Sequence, residues 1–491
     1  MVPAVRLLYL SGFLFSFATA VQLHLTAATR KSHSPEAILD NVDDLLYFVD
    51  VSLGGNNFSV LVDTGSSDLW VAGNVPGTKN LSVLESLGYA IGNPITGYIN
   101  TARLDFDGFS VEDQVYLLVS VEDAQKTSFP QGVIGLGPSA SSFIRGSLGN
   151  SNSADPPLDR IFQQNTTTPS YMTLLLSRNP STEAISYQSS GQLTIGETIP
   201  KLEAVLDAPK LPVLVDQPIH QHWATLLDSN GIIGPDGQII STTTTIPNPS
   251  EGSSEQLHVM FDSGFTVPQV PGYIIDAIYG RIPGASFIED GTKLNTSLSY
   301  SNFWRLPCDY EVNVSFIFSG QEYPVAPLDL NRDMNLQDGD GENICMAFYQ
   351  TGIASSASTL SSVGALDMIL GMAFLRNTYA LFNFGDFVDG TTSSVGNPYI
   401  QLLSLSNKHQ IHLDFVNARL GGKDSTGTQA PLLPSPQSHP DGEPASGSND
   451  GTSGGGSVTG DPSNDNSSSP SRPSVFAAWM SILGVLIFGV C

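Results

Sequence analysis

The strongest constraint on the fold is a strand-like run that ends in an acidic turn and occurs twice. Phe58-Ser59-Val60-Leu61-Val62 leads directly into Asp63-Thr64-Gly65-Ser66-Ser67, and Leu257-His258-Val259-Met260-Phe261 leads into Asp262-Ser263-Gly264-Phe265-Thr266, 199 residues later. Short apolar runs closed by Gly, Ser or Thr read as buried strands entering turns. Each copy is followed by an apolar pair and a glycine, Val133-Ile134-Gly135 in the first half and Ile369-Leu370-Gly371 in the second. A duplicated device of this kind predicts two lobes related by a pseudo-twofold axis, which would bring Asp63 and Asp262 together.

Length agrees, because 491 residues exceed one core at ~100 to 200 residues per domain. The 47 Gly and 32 Pro favour many turns and short strands over a helical bundle, so the expected fold is all-β and bilobal. A net charge of −27 repels phosphate backbones and excludes nucleic-acid binding as the main function. The same excess of carboxylates would be relieved in an acidic environment, where many of them are protonated.

The two ends read as targeting signals. Residues 1–20 combine Arg6, an apolar run from Leu7 to Phe17 and Ala18-Thr19-Ala20, the pattern of a cleaved secretory signal. Residues 475–491 are apolar, with no basic residue beyond them to hold a cytoplasmic tail. With a polar spacer and small residues around Asn464 and Asn466 upstream, this is the pattern of a glycosylphosphatidylinositol attachment signal, those two asparagines being the candidate attachment residues. A permanent transmembrane anchor is the alternative, disfavoured by the missing flank. Residues 421–474, rich in Ser, Gly, Pro, Thr and Asp, read as a flexible stalk. Sequons at Asn57, Asn80, Asn165, Asn295 and Asn313 agree with secretion, as does a further one at Asn466. Of three cysteines, Cys491 would leave with the tail, and the remaining pair, Cys308 and Cys345, is most simply one disulfide. No metal site is expected: His220 with His222, and His409 with His412, lack further ligands at metal-binding spacing.

From about Asp44 to Leu403 this order of stations resembles the pepsin-like aspartic endopeptidases. Tyr89-Ala90-Ile91-Gly92 with Gly97-Tyr98-Ile99 is similar to the family's flap hairpin, with Pro94 disturbing its spacing. Ser190-Gly191-Gln192-Leu193-Thr194-Ile195-Gly196 resembles a strand late in the first lobe, Cys308 and Cys345 fall where the family's disulfide lies, and Ile369 to Arg376 matches the closing segment. The signal and tail are similar to those of surface-tethered fungal members. The resemblance implies a catalytic pair, Asp63 and Asp262, sharing one proton and holding water between them. It implies that Thr64 and Ser263 tie each loop to the opposite lobe, that Gly65 and Gly264 allow close turns, that Ser66 donates to Asp63, and that Tyr89 closes over the substrate. The expected partner is a peptide or protein substrate in the interlobe cleft, bound by a monomer without metal or organic cofactor and touching the membrane through its lipid anchor alone.

Three departures stand out. Phe265 occupies the position matching Ser66 and has no hydroxyl to donate, Gln131 replaces an acidic residue common in the family, and a small first-lobe disulfide is missing. Phe265 also motivates a rival reading, a catalytically weakened pepsin-fold binding protein. The expected organisation is a signal (1–20), a short N-terminal or pro segment with Arg30-Lys31 as a processing pair (21–41), a first lobe (42–225), a second lobe (226–420), a stalk (421–474) and a tail (475–491).

Overall fold

The computed structural model describes residues 37–438, apart from 90–93, 128, 130, 165–166, 179–190, 216–220, 247–250, 292–301, 352–365, 386–387 and 389–395. The signal, the Arg30-Lys31 pair, the tail and the candidate residues Asn165, Asn295, Asn464 and Asn466 lie outside the described residues, as do His220 and Cys491.

The chain is built from strands with few short helices, the all-β bilobal architecture expected from the repeat. In the first lobe, Leu46–Leu53 and Asn56–Asp63 form a hairpin whose turn is Gly54-Gly55, both at positive φ. A Cβ on Gly54 would lie 2.2 Å from the Pro76 carbonyl oxygen, so the turn requires glycine there. This hairpin belongs to an eight-stranded sheet running from Asp40–Val42 through to Lys79–Leu87. Within it Asn56–Asp63 lies parallel to Gly132–Gly135, with Asp63 opposite Gly135, and Leu69–Ala72 pairs with the other edge of that glycine strand.

The second lobe repeats the device. His258–Phe261 runs parallel to Met368–Leu370, with Phe261 opposite Leu370. The apolar-glycine pairs noted in the sequence are therefore the parallel partners of the two aspartate strands. Two four-stranded sheets complete the lobe. In its core Phe261, Phe316, Phe318 and Phe374 pack at centroid separations of 5.4–6.1 Å. Such aromatic pairs contribute ~0.5 to 1.5 kcal/mol each beyond their buried area. Cys308 and Cys345 are joined in a disulfide.

A six-stranded sheet takes strands from both halves. Tyr171–Leu175 of the first lobe pairs antiparallel with Thr378–Asn383 of the second, and Leu211–Pro212 closes the sheet on Tyr399–Ser404. Beside it, Asp329 accepts from Arg376 Nε (2.8 Å), Asn377 Nδ2 (2.9 Å) and Arg178 Nε (3.0 Å), while Arg376 Nη1 donates to the Asp44 carbonyl (2.7 Å). Burial pushes the Asp329 carboxyl up, but the two guanidiniums more than offset this and hold it below the usual carboxylate range.

Both ends of the folded body extend further than composition suggests. Ala37–Ile38 pairs with Gln192–Ile195, Asp40–Val42 pairs with Leu46–Leu53, and Leu39 between them is fully buried, so these residues of the N-terminal segment are sheet strands. Residues 424–437, placed in the stalk by composition, lie along the second lobe: Leu433 N donates to Arg281 O (2.7 Å), Gln437 N to Gly280 O (2.9 Å), and Tyr310 Oη to Ala430 O (3.0 Å). Backbone hydrogen bonds hold this strap, which a count of large apolar side chains does not register.

Candidate active site

The parallel strand pairs deliver Asp63 and Asp262 to the interface between the lobes, both fully buried. Each carboxylate is met by the amide two residues on: Gly65 N donates to Asp63 Oδ1 (2.9 Å) and Gly264 N to Asp262 Oδ1 (2.7 Å). Between them the hydroxyls cross over. Thr64 Oγ1 donates to Phe261 O (3.0 Å) and accepts from Ser263 N (2.9 Å), while Ser263 Oγ donates to Val62 O (2.8 Å) and accepts from Thr64 N (3.1 Å). Of these four hydrogen bonds, two fasten each aspartate turn to the strand that feeds the other and two join the turns directly.

Glycine is required where these turns meet. A Cβ on Gly65 would lie 2.2 Å from Asp262 Oδ2, one on Gly371 2.1 Å from Phe265 O, and one on Gly135 2.4 Å from Asp68 N. Gly65 is consequently in contact with both carboxylates, one through its amide and the other across its α-carbon. Burial drives the Asp63 carboxyl well above its ordinary range and the neighbouring charge of Asp262 adds to this, while the Ser66 hydroxyl and the Gly65 amide pull it back.

The two turns differ at the next position. Ser66 is half-buried and donates from Oγ to Asp63 Oδ2. Phe265 is buried instead in an apolar cluster with Leu214, Ala224, Met260, Leu366 and Ile369. The following residues serve the scaffold, Ser67 Oγ donating to Pro138 O and Thr266 Oγ1 to Leu45 O, both at 2.7 Å. Gln131 also serves the scaffold, its Oε1 accepting from Ser59 N (2.9 Å).

Tyr89 follows Lys79–Leu87, the outer strand of the first-lobe sheet, and its hydroxyl accepts from Trp70 Nε1 at 2.6 Å. Burial raises its pKa, and the charges of Asp63 and Asp68 add to the effect. The remaining residues of the expected flap motif, Ala90, Ile91 and Gly92, lie outside the described residues.

Three neighbours of the pair were not singled out by their sequence pattern. Trp70 reads as an ordinary strand residue but carries the donor to Tyr89. Asp68 is buried and accepts from Ser142 Oγ (2.5 Å) and Phe143 N (2.8 Å) at the start of the helix Phe143–Ser147. Burial pushes its carboxyl up to about 6 against those donors. His222 places Nδ1 3.1 Å from Gly65 O.

Elsewhere, Asn57, Asn80 and Asn313 are exposed. His409 is exposed, and His412 sits between Glu311 and Asp424 at 2.9 and 3.4 Å. Among the described residues no group of three or more His, Cys, Asp or Glu could hold a metal ion, and no helix is long and apolar enough to cross a membrane.

A two-lobed β fold with two buried aspartates on matching turns at the lobe interface defines an aspartic-type endopeptidase. The family model for eukaryotic aspartyl protease matches residues 46–388, and the chain belongs to that family. It is 26% identical over 387 residues to major aspartyl peptidase 1 of Cryptococcus neoformans var. grubii, covering 72% of this chain and 71% of that one. It is 22% identical over 392 residues to an aspartic protease of Phaffia rhodozyma (76% and 82%), and 25% identical over 383 residues to pepsin A of Bos taurus (73% and 86%).

Proposed function

We propose that Asp63 and Asp262 are the catalytic carboxylates, that they hydrolyse extended peptides bound between the lobes, and that the enzyme works at acidic pH on the outer cell surface. The observation that carries the first part is the contact of both carboxylates with Gly65, locked by the crossed Thr64 and Ser263 hydroxyls. Carboxylates this close and this buried cannot both ionise cheaply, so the pair holds one proton and titrates as a unit, as in aspartic proteases generally.

The ionised carboxylate takes a proton from the water held between the two groups as its oxygen bonds to the scissile carbonyl carbon. The protonated one gives its proton to the carbonyl oxygen, leaving a neutral gem-diol. Collapse of that intermediate breaks the C–N bond, with a proton passing from the pair to the amine. Ser66 stabilises the anionic form of Asp63, and Tyr89, held by Trp70, excludes bulk water when substrate is bound.

An acidic setting is supported by the net charge of −27 and by the raised pKa values of Asp63 and Asp68. Secretion is supported by the signal pattern of residues 1–20 and by similarity to relatives named as secreted, among them secreted aspartic protease 1 of Candida albicans, 31% identical over 125 residues covering 20% of this chain. Residues 475–491, with Asn464 or Asn466 as attachment residue, would supply the lipid anchor, and exposed Asn57, Asn80 and Asn313 would carry glycans.

Asp63→Asn and Asp262→Asn are each expected to abolish hydrolysis of a mixed peptide library at pH 3 to 6 while keeping the wild-type circular dichroism spectrum and disulfide. Near-normal turnover by either variant would end the assignment of the pair.

A further inference from the structure

Residues 221–224 splice the two aspartate turns together. Ser141 Oγ donates to Gln221 O (2.6 Å), Trp223 Nε1 donates to Leu136 O (3.1 Å), and Phe261 N, one residue before Asp262, donates to Trp223 O (3.0 Å). Leu136 N in turn donates to Asp63 O (2.7 Å), so a continuous chain of hydrogen bonds runs from the backbone of one aspartate to the strand of the other through Trp223. His222 lies in the middle of this splice, 7% exposed, with Nδ1 3.1 Å from Gly65 O. A carbonyl oxygen only accepts, so Nδ1 carries the proton in that bond.

Gly65 is the residue that touches both carboxylates, and its carbonyl belongs to the peptide that carries Ser66, the donor to Asp63. A ring nitrogen fixed on that carbonyl therefore sets the tilt of one peptide unit on which two things depend, the separation of the carboxylates and the reach of the Ser66 hydroxyl. Filling space at 222 needs no polar atom, since a leucine or phenylalanine would do it. The donor matters only for what it holds.

We propose that His222 is a positioning residue for peptide hydrolysis, its Nδ1–H bond to Gly65 O holding the glycine that spaces Asp63 and Asp262. The inference rests on the reading of that pair as the reacting groups. Its effect should fall on kcat more than on KM, because the bond sets the geometry of attack rather than the grip on substrate.

The test uses the full secreted chain and an internally quenched peptide, with kcat expressed per active site titrated by a statine-type inhibitor. His222→Leu is expected to lose about 10- to 100-fold in kcat, the scale of a misplacement of roughly 1 Å, with KM changed by less than about threefold. His222→Asn carries its amide nitrogen where Nδ1 stood and is expected to recover kcat to within about threefold of wild type, whereas His222→Gln, with its nitrogen at the Nε2 position, is expected to stay low. Wild-type kcat per site in His222→Leu would overturn the proposal, and so would His222→Asn being no better than His222→Gln. The Asn and Gln comparison decides the matter if the Leu variant does not fold. Activity surviving in Asp63→Asn or Asp262→Asn would instead bring down the reading of the pair, whatever the His222 variants do.

Discussion

Removing the Ser66 hydroxyl isolates the asymmetry between the two aspartate turns. In Ser66→Ala, Asp63 keeps the Gly65 amide on Oδ1 but loses the donor on Oδ2. A hydrogen bond to a charged group contributes ~1.5 to 3 kcal/mol, and Ser66 is half-buried, so water can partly take its place; the lower end applies. At 1.36 kcal/mol per pKa unit this is about one unit. The lost donor favoured the ionised form, so the single anion of the pair should form at higher pH, and the acid limb of kcat/KM should move up by about one unit. Profiles from pH 2 to 7, with Tm recorded alongside, would measure this, and Ser66→Thr, which keeps a hydroxyl, should leave the limb in place. An acid limb that stays or moves down in a Ser66→Ala protein of normal Tm would show that this hydroxyl does not tune the pair. The mirrored change, Phe265→Thr, should push the limb the other way, but it empties part of an apolar cluster at a cost of about 3 kcal/mol, so Ser66→Ala is the cleaner perturbation.

Asp68 makes folding pH-dependent. Its folded pKa of about 6 lies above the ordinary 3.8, so its contribution to stability is fully present below about pH 4 and is lost as pH rises through about 6, a swing of up to ~3 kcal/mol. Denaturant unfolding at pH 4 and pH 7 should therefore show a smaller loss of stability in Asp68→Asn than in wild type, and equal slopes in the two proteins would contradict this. For the anchor, phosphatidylinositol-specific phospholipase is expected to release the protein from intact membranes. Finding residues 475–491 in the mature protein by mass spectrometry would replace the lipid by a membrane-spanning anchor.

What could be read in the sequence was local or duplicated. The aspartate turns, their apolar strands and the apolar-glycine partners stand out because each short segment carries its own pattern and the second copy confirms the first. The cysteine pair followed from counting. Long-range partners left no such mark. The contact of His222 with Gly65 spans 157 residues, and the donors to Asp68 come from a helix more than seventy residues further on. Nothing in the sequence around Arg178, Asp329 and Arg376 reveals that they meet. Composition also misplaced both edges of the folded body: Ala37–Val42 is too short and polar to announce a strand, and 424–437 is held mainly by main-chain groups of Leu433 and Gln437.

The six-stranded sheet has a consequence for the order in which the molecule can be made. Tyr171–Leu175 pairs on one edge with Gln192–Ile195 and on the other with Thr378–Asn383, so one side of this first-lobe strand stays open until the second lobe has been synthesised. At ~5 to 20 residues per second, Asp262 leaves the ribosome on the order of 10 to 40 s after Asp63. Thr64 and Ser263 can lock the turns only after that. During this interval the nascent chain has one aspartate turn without its counterpart, so the pair proposed to carry catalysis is not yet assembled.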